Sequence, residues 1–171
     1  MTGEEIRQEA IRYSGFDITE EDALAWINEA LRRLGDMGLV YGRLDVDAQA
    51  EVSYVLPPDA LHIVRVEHRA SRRPYDGWRL VGDEIIFHDT GQYTVYARRM
   101  PPPLQFIEEE PSVHMAFHQA IVFYVRGMAK LKDDDASPDG HALLQRFEEE
   151  ATRAFRQLQR SRSPRTIRVI R

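Results

Sequence analysis

Residues 81–103 read VGDEIIFHDTGQYTVYARRMPPP, a run that speaks for β-structure brought to an abrupt stop. Val81-Gly82-Asp83-Glu84 predicts a tight hairpin turn, because glycine takes positive φ without a Cβ penalty. Glu84–His88 and Gln92–Ala97 are rich in β-branched and aromatic residues, and Thr90-Gly91 separates them as a turn. Pro101, Pro102 and Pro103 then stiffen the exit. Upstream the period of two continues. Val52, Tyr54 and Leu56 alternate with polar or small residues before Pro57-Pro58, Leu61, Ile63, Val64 and Val66 come next, and Asp76-Gly77 precedes Trp78–Val81. The expectation is one antiparallel sheet of about four to six short strands, inserted over about residues 40–100.

On both sides of the insertion the period changes to that of a helix. Thr2 and Glu5 form a capping-box pattern for a short helix over about 2–13, with Ser14-Gly15 at its end. Thr19 followed by Glu20, Glu21 and Asp22 opens a second, over about 19–37, with acids facing the positive helix end. Leu24, Ile27, Leu31 and Leu34 are its apolar stripe, and Gly38 stops it. Downstream, Pro111 reads as the first residue of a helix over about 111–133 with Phe117, Ile121, Tyr124, Met128 and Leu131 on one face. Ser137-Pro138 caps a last helix over about 138–160, striped by Leu144, Phe147, Ala151, Ala154 and Leu158. Two such helices joined by a short loop predict an antiparallel pair, with the Thr19 helix as a third wall. The fold class expected is therefore α+β: an antiparallel helical bundle with an inserted antiparallel β-sheet and an extended C-terminal tail. Residues 1–159 form a single domain in this reading and 160–171 the tail.

The 171 residues suffice for one real core. No apolar run approaches the roughly 20 residues that span a bilayer, and no signal segment opens the chain, so a non-membrane, non-secreted protein is expected. There is no cysteine, which excludes disulfides and thiolate metal sites and fits a reducing compartment. Net charge is −5, and the five arginines of Arg160–Arg171, with no acid among them, leave residues 1–159 at −10. An acidic body repels nucleic acid, and a basic tail seeks an anionic surface.

Few motifs carry chemistry. His114 and His118 stand four apart, a spacing that can place two imidazoles on one metal and would suit a metal-dependent hydrolase. The glutamate that zinc proteases carry directly after the first histidine is missing. The structural alternative is that one or both are partly buried, hydrogen-bonded residues beside Phe117 and Ile121. Glu108–Glu110, Asp133–Asp135 and Glu148–Glu150 are runs whose carboxylates diverge; in an oligomer Glu148 and Glu149 could meet Arg32, Arg33, Arg153 or Arg156 of a neighbour. Arg69, Arg72, Arg73 and Arg79 cluster with Tyr75 and Trp78, as a nucleic-acid binder could use or as an exposed hairpin tip shows. No phosphate-cradling glycine loop, nucleophile elbow or cofactor motif is present.

The tail holds Arg160, Arg162, Arg165, Ile167, Arg168, Val169, Ile170 and Arg171. Three β-branched residues interleaved with arginines suit an extended strand that adds to another protein's sheet edge. The same basic tail would serve a nucleic-acid-binding regulatory protein, a rival reading that predicts duplex binding steeply weakened by salt.

The order of elements resembles head–tail connector (adaptor) proteins of tailed phages. The stretches that carry the resemblance are WINEALRRL (26–34), YVLPPDALHIVRVEH (54–68), the hairpin GDEIIF followed by GQYTVYARRMPPP, PSVHMAFHQAIVFYVRGMAKL (111–131) and FEEEATRAFRQL (147–158). The resemblance implies a structural protein without enzymatic activity, made in the host cytoplasm and resident at the virion neck. It implies a homo-oligomeric ring, typically of twelve subunits, that docks beneath the portal protein and receives a downstream tail or stopper protein. The resemblance also implies that the C-terminal segment reaches the portal; the acidic body, by its charge, would suit a conduit through which DNA passes without specific binding.

Overall fold

Thr2 caps the first helix as its sequence predicts: its hydroxyl accepts from the Glu5 backbone N–H at 3.2 Å while the Glu5 carboxylate accepts from the Thr2 N–H at 3.0 Å. The computed structural model describes residues 1–162, with side chains to Gln159. Four helices, α1 (Gly3–Ser14), α2 (Glu20–Asp36), α3 (His118–Asp133) and α4 (Pro138–Arg162), bracket six strands. The strands are β1 (Tyr41–Ala48), β2 (Ser53–Val55), β3 (Ala60–His68), β4 (Trp78–Val81), β5 (Glu84–Phe87) and β6 (Gly91–Arg99). The fold is mixed α+β. It divides into two compact units, one of Met1–Leu31 with the chain from Pro103 onward, the other of Arg32–Pro102.

In the helical unit α3 is the central element. His118, Ala120 to Val125, Gly127 and Ala129 are all buried, so its apolar surface runs nearly all round rather than along one stripe. α4 packs along it antiparallel: Tyr124 meets Phe147 edge to face with ring centres 5.1 Å apart, Gly127 faces Leu144, and Leu131 faces Gly140. A Cβ on Gly127 would lie 2.9 Å from the Leu144 side chain and 3.1 Å from the Gly140 carbonyl oxygen, so this glycine sets the helix spacing. α1 lies along another side of α3 in the same direction, with Met1 beside His118 and Tyr13 beside Arg126. α2 is tied to α3 by the Lys132–Asp22 ion pair at 2.6 Å, whose hydrogen bond holds the Asp22 carboxyl below its ordinary range.

Two expectations need correction here. The third long helix does not begin at Pro111. The Pro111 carbonyl accepts from the Val113 N–H, the His114 ring nitrogen accepts from the Ala116 N–H at 3.2 Å, and a single 3-10 turn over Met115–Phe117 precedes α3. At the other end α4 continues to Arg162. Arg160 and Arg162, expected in the extended tail, belong to the last helical turn, because nothing before Pro164 breaks the helical period.

The β-unit holds two three-stranded antiparallel sheets, β1-β6-β3 and β2-β5-β4, rather than one. Pro57-Pro58 is the cause: lacking two N–H donors, the chain cannot extend the β2 pairing and crosses to the other sheet as β3. The predicted turn joins Val81 to Glu84, with Gly82 at φ 64°. Side chains of both sheets share one core of Val46, Ile63, Val66, Ile85, Phe87, Tyr93 and Val95, joined by Tyr75. β3 is an edge strand that slips register twice against β6, leaving Leu61 and Val64 without direct partners. These bulges bring Ile63 and Val66, three apart, onto the same core face while Leu61 and Val64 stay exposed.

Candidate interaction surfaces

The charged helix faces singled out from sequence lie on the surface. Glu149, Arg153 and Arg156, spaced four and three apart, share one exposed side of α4, and Glu148 is exposed beside them. Arg153 pairs within its own helix to Glu150 at 2.7 Å. Arg32 and Arg33 lie near the end of α2, where Arg32 reaches Asp36 at 2.7 Å and Arg33 is half-buried. Of the tail, Arg165, Ile167, Arg168, Val169, Ile170 and Arg171 lie outside the described residues.

The two histidines are placed for structural work. His114 caps the 3-10 turn. His118 is buried, and its Nδ1 accepts from the Met1 amine at 3.1 Å, which also donates to Glu110 at 3.0 Å. Burial first, then the nearby amine, lowers the His118 pKa from the ordinary 6.5. Between the folded and unfolded values the unfolded chain binds the extra proton, so this stability is intact above 6.5 and falls as pH drops through that window. Acidification from about pH 7 to about pH 5.5 should lower Tm more steeply in the native chain than in His118→Asn. Among the described residues no group of three or more His, Cys, Asp or Glu side chains could hold a metal ion.

The arginine cluster of the β-unit is half neutralised. Arg69 pairs with Asp47 at 3.2 Å, and Arg79 with Glu51 at 2.6 Å, leaving Arg72 and Arg73 at the exposed tip. On the sheet surface Arg43 grips Asp45, which also accepts from Thr94, and together they lower the Asp45 pKa. Tyr96 donates to the buried Glu67 carboxylate at 2.8 Å. Ten arginines balance ten acids in Arg32–Pro102, so the unit is neutral. The whole acidic excess lies in the helical unit, where residues 1–31 and 103–162 carry −8.

Two helical-unit features escape sequence reasoning. The first is the loop before α3. Leu104 and Ile107 are buried while Phe106 between them is 67% exposed. The loop is locked: the Asn28 side chain both donates to and accepts from the Leu104 backbone at 3.0 and 2.7 Å, Glu109 accepts from the Gln105 N–H at 2.7 Å, and the Ile107 and Glu109 carbonyls accept from Glu4 and Gly3 at the start of α1. The second lies at the other end of α1, where the Arg126 guanidinium sits over the Tyr13 and Phe123 rings, Arg146 covers Phe123 at 4.7 Å and Arg12 covers Tyr13. Both gather residues remote in sequence, and isolated aromatics and arginines give no periodic signal.

Among the described residues no helix is long and apolar enough to cross a membrane. No curated protein matches the chain. The family model described as SU10 adaptor protein matches residues 1–169, which spans both units and both ends of the helical one, in keeping with the phage-adaptor resemblance of the sequence. The chain belongs to the SU10 adaptor protein family.

Proposed function

We propose that the protein is a structural, non-enzymatic subunit of a phage head–tail connector ring, docked under the portal and joining the head to the tail. The observation that carries this reading is the family match along residues 1–169. Copies associate side by side, typically as twelve, with Arg32, Arg33, Glu148, Glu149, Arg153 and Arg156 at the contacts between them. A downstream tail or stopper protein completes the neck, and no cofactor takes part. An excess of −8 on the helical unit supports a conduit that does not hold passing DNA, and weighs against a regulator that grips it.

The tail binds the portal in this reading. Because α4 runs to Arg162, the deletion that spares the helix removes Ser163–Arg171. The truncated protein should lose portal binding in a pull-down with its helical circular dichroism unchanged. Binding retained at full strength would take the tail out of the mechanism. Averaged images of intact particles should show a closed ring at the neck, and a single copy there would end the ring reading.

A further inference from the structure

The two features at opposite ends of α1 complement each other. At its start a locked loop holds out Phe106, with Glu108, Glu109 and Glu110 exposed beside it. At its end Tyr13 is 55% exposed beside Arg12, Arg126 and Arg146. Among the described residues none of these three arginines has a carboxylate within ion-pairing distance, and the buried Arg126 Nε has no acceptor. Desolvation and then the nearby Arg146 lower the Arg126 pKa and outweigh Tyr13 and Glu9, which raise it. A rigid exposed aromatic beside acids, and an aromatic–arginine platform whose arginines make no ion pair, are the two halves of an interface hot spot. They cannot meet within one molecule: α1 separates them by about 18 Å along its axis.

We infer that the Phe106 loop of one copy docks on the Tyr13/Arg126/Arg146 platform of the next, a head-to-tail contact between copies of this chain. The inference rests on the ring reading above and adds a contact to the charged faces named there. The contact joins two different patches. Such an interface is heterologous, and a heterologous contact gives a ring when its rotation closes, whereas a patch that meets itself stops at a dimer. Phe106 supplies the buried anchor, and Glu108, next to the loop-locking Glu109, supplies a carboxylate to arginines that have no ion pair.

The cysteine-free sequence makes the contact directly testable. Gln105→Cys places a thiol next to Phe106, and Asp17→Cys one just beyond Tyr13, at exposed positions. With a short bifunctional maleimide at high protein concentration, the double variant should give a ladder of covalent oligomers up to the ring size, and each single variant none. Phe106→Ala or Arg146→Glu in that background should reduce the ladder about tenfold, and Glu108→Arg should restore the Arg146→Glu chain. Rings seen by native mass spectrometry without a ladder would overturn this contact and leave the ring reading standing. Cross-linked dimers from a single-cysteine variant would show a self-complementary patch and overturn it too. Neither rings nor ladder would overturn both.

Discussion

Phe147→Ala is expected to destabilise the helical unit by about 3–5 kcal/mol. Phe147 is fully buried and meets Tyr124 of α3 edge to face, so truncation removes both the transferred area and an aromatic pair worth about 0.5–1.5 kcal/mol. The cavity opens against the buried face of α3, and the small neighbours Ala151 and Ala154 cannot move in to fill it. With total stabilities of about 5–15 kcal/mol typical of globular proteins, such a loss leaves a marginal fold. Chemical denaturation should show a lower midpoint, and peptide-resolved hydrogen exchange should show the loss of protection concentrated in α1, α3 and α4. A Phe147→Leu chain should recover most of the difference. A midpoint unchanged in Phe147→Ala would mean that α4 is not held by this contact.

Tyr93→Ala should cost a similar amount, about 3–5 kcal/mol, in the β-unit. Tyr93 is the centre of an aromatic group: Phe87 stacks on it at 4.6 Å, Tyr75 lies at 4.4 Å and His68 at 5.1 Å. Its hydroxyl donates to the Asp89 carbonyl at 3.1 Å. Because Phe87 belongs to one sheet and Tyr93 to the other, the stacked pair ties the two sheets together. Tyr93→Phe isolates the hydroxyl and should cost only about 0.5–1.5 kcal/mol. Exchange protection should fall in 53–99, and a loss for Tyr93→Ala no larger than that for Tyr93→Phe would count against the aromatic core.

The local signals are legible where chemistry acts over a few residues. Thr2 and Thr19 as caps, Gly38 as a stop, Ser137 before Pro138 and the Gly82-Asp83 hairpin all stand where composition puts them. Non-local pairing is not legible. The split into two sheets depends on which strands share partners, and β5 and β6 carry the same kind of residues. Pro111 misleads because proline suits a turn as well as a first helical position, and the residues after it form a histidine-capped 3-10 turn. Periodicity alone puts the charged residues of α4 on the correct face. Phe106 is invisible in the sequence as a surface feature because its neighbours Leu104 and Ile107 are core residues.

The twice-slipped register of β3 would matter in the ring proposed above. Where many copies gather, an open apolar sheet margin invites strand after strand to add on, and the product is an off-pathway fibre. Leu61 and Val64 each interrupt the ladder, and the one unbroken run, Arg65–His68, is already bridged at Glu67 by Pro74, so an incoming strand finds no long row of backbone partners along that margin. The protein can thus present apolar side chains at high local density while denying them a template for runaway polymerisation.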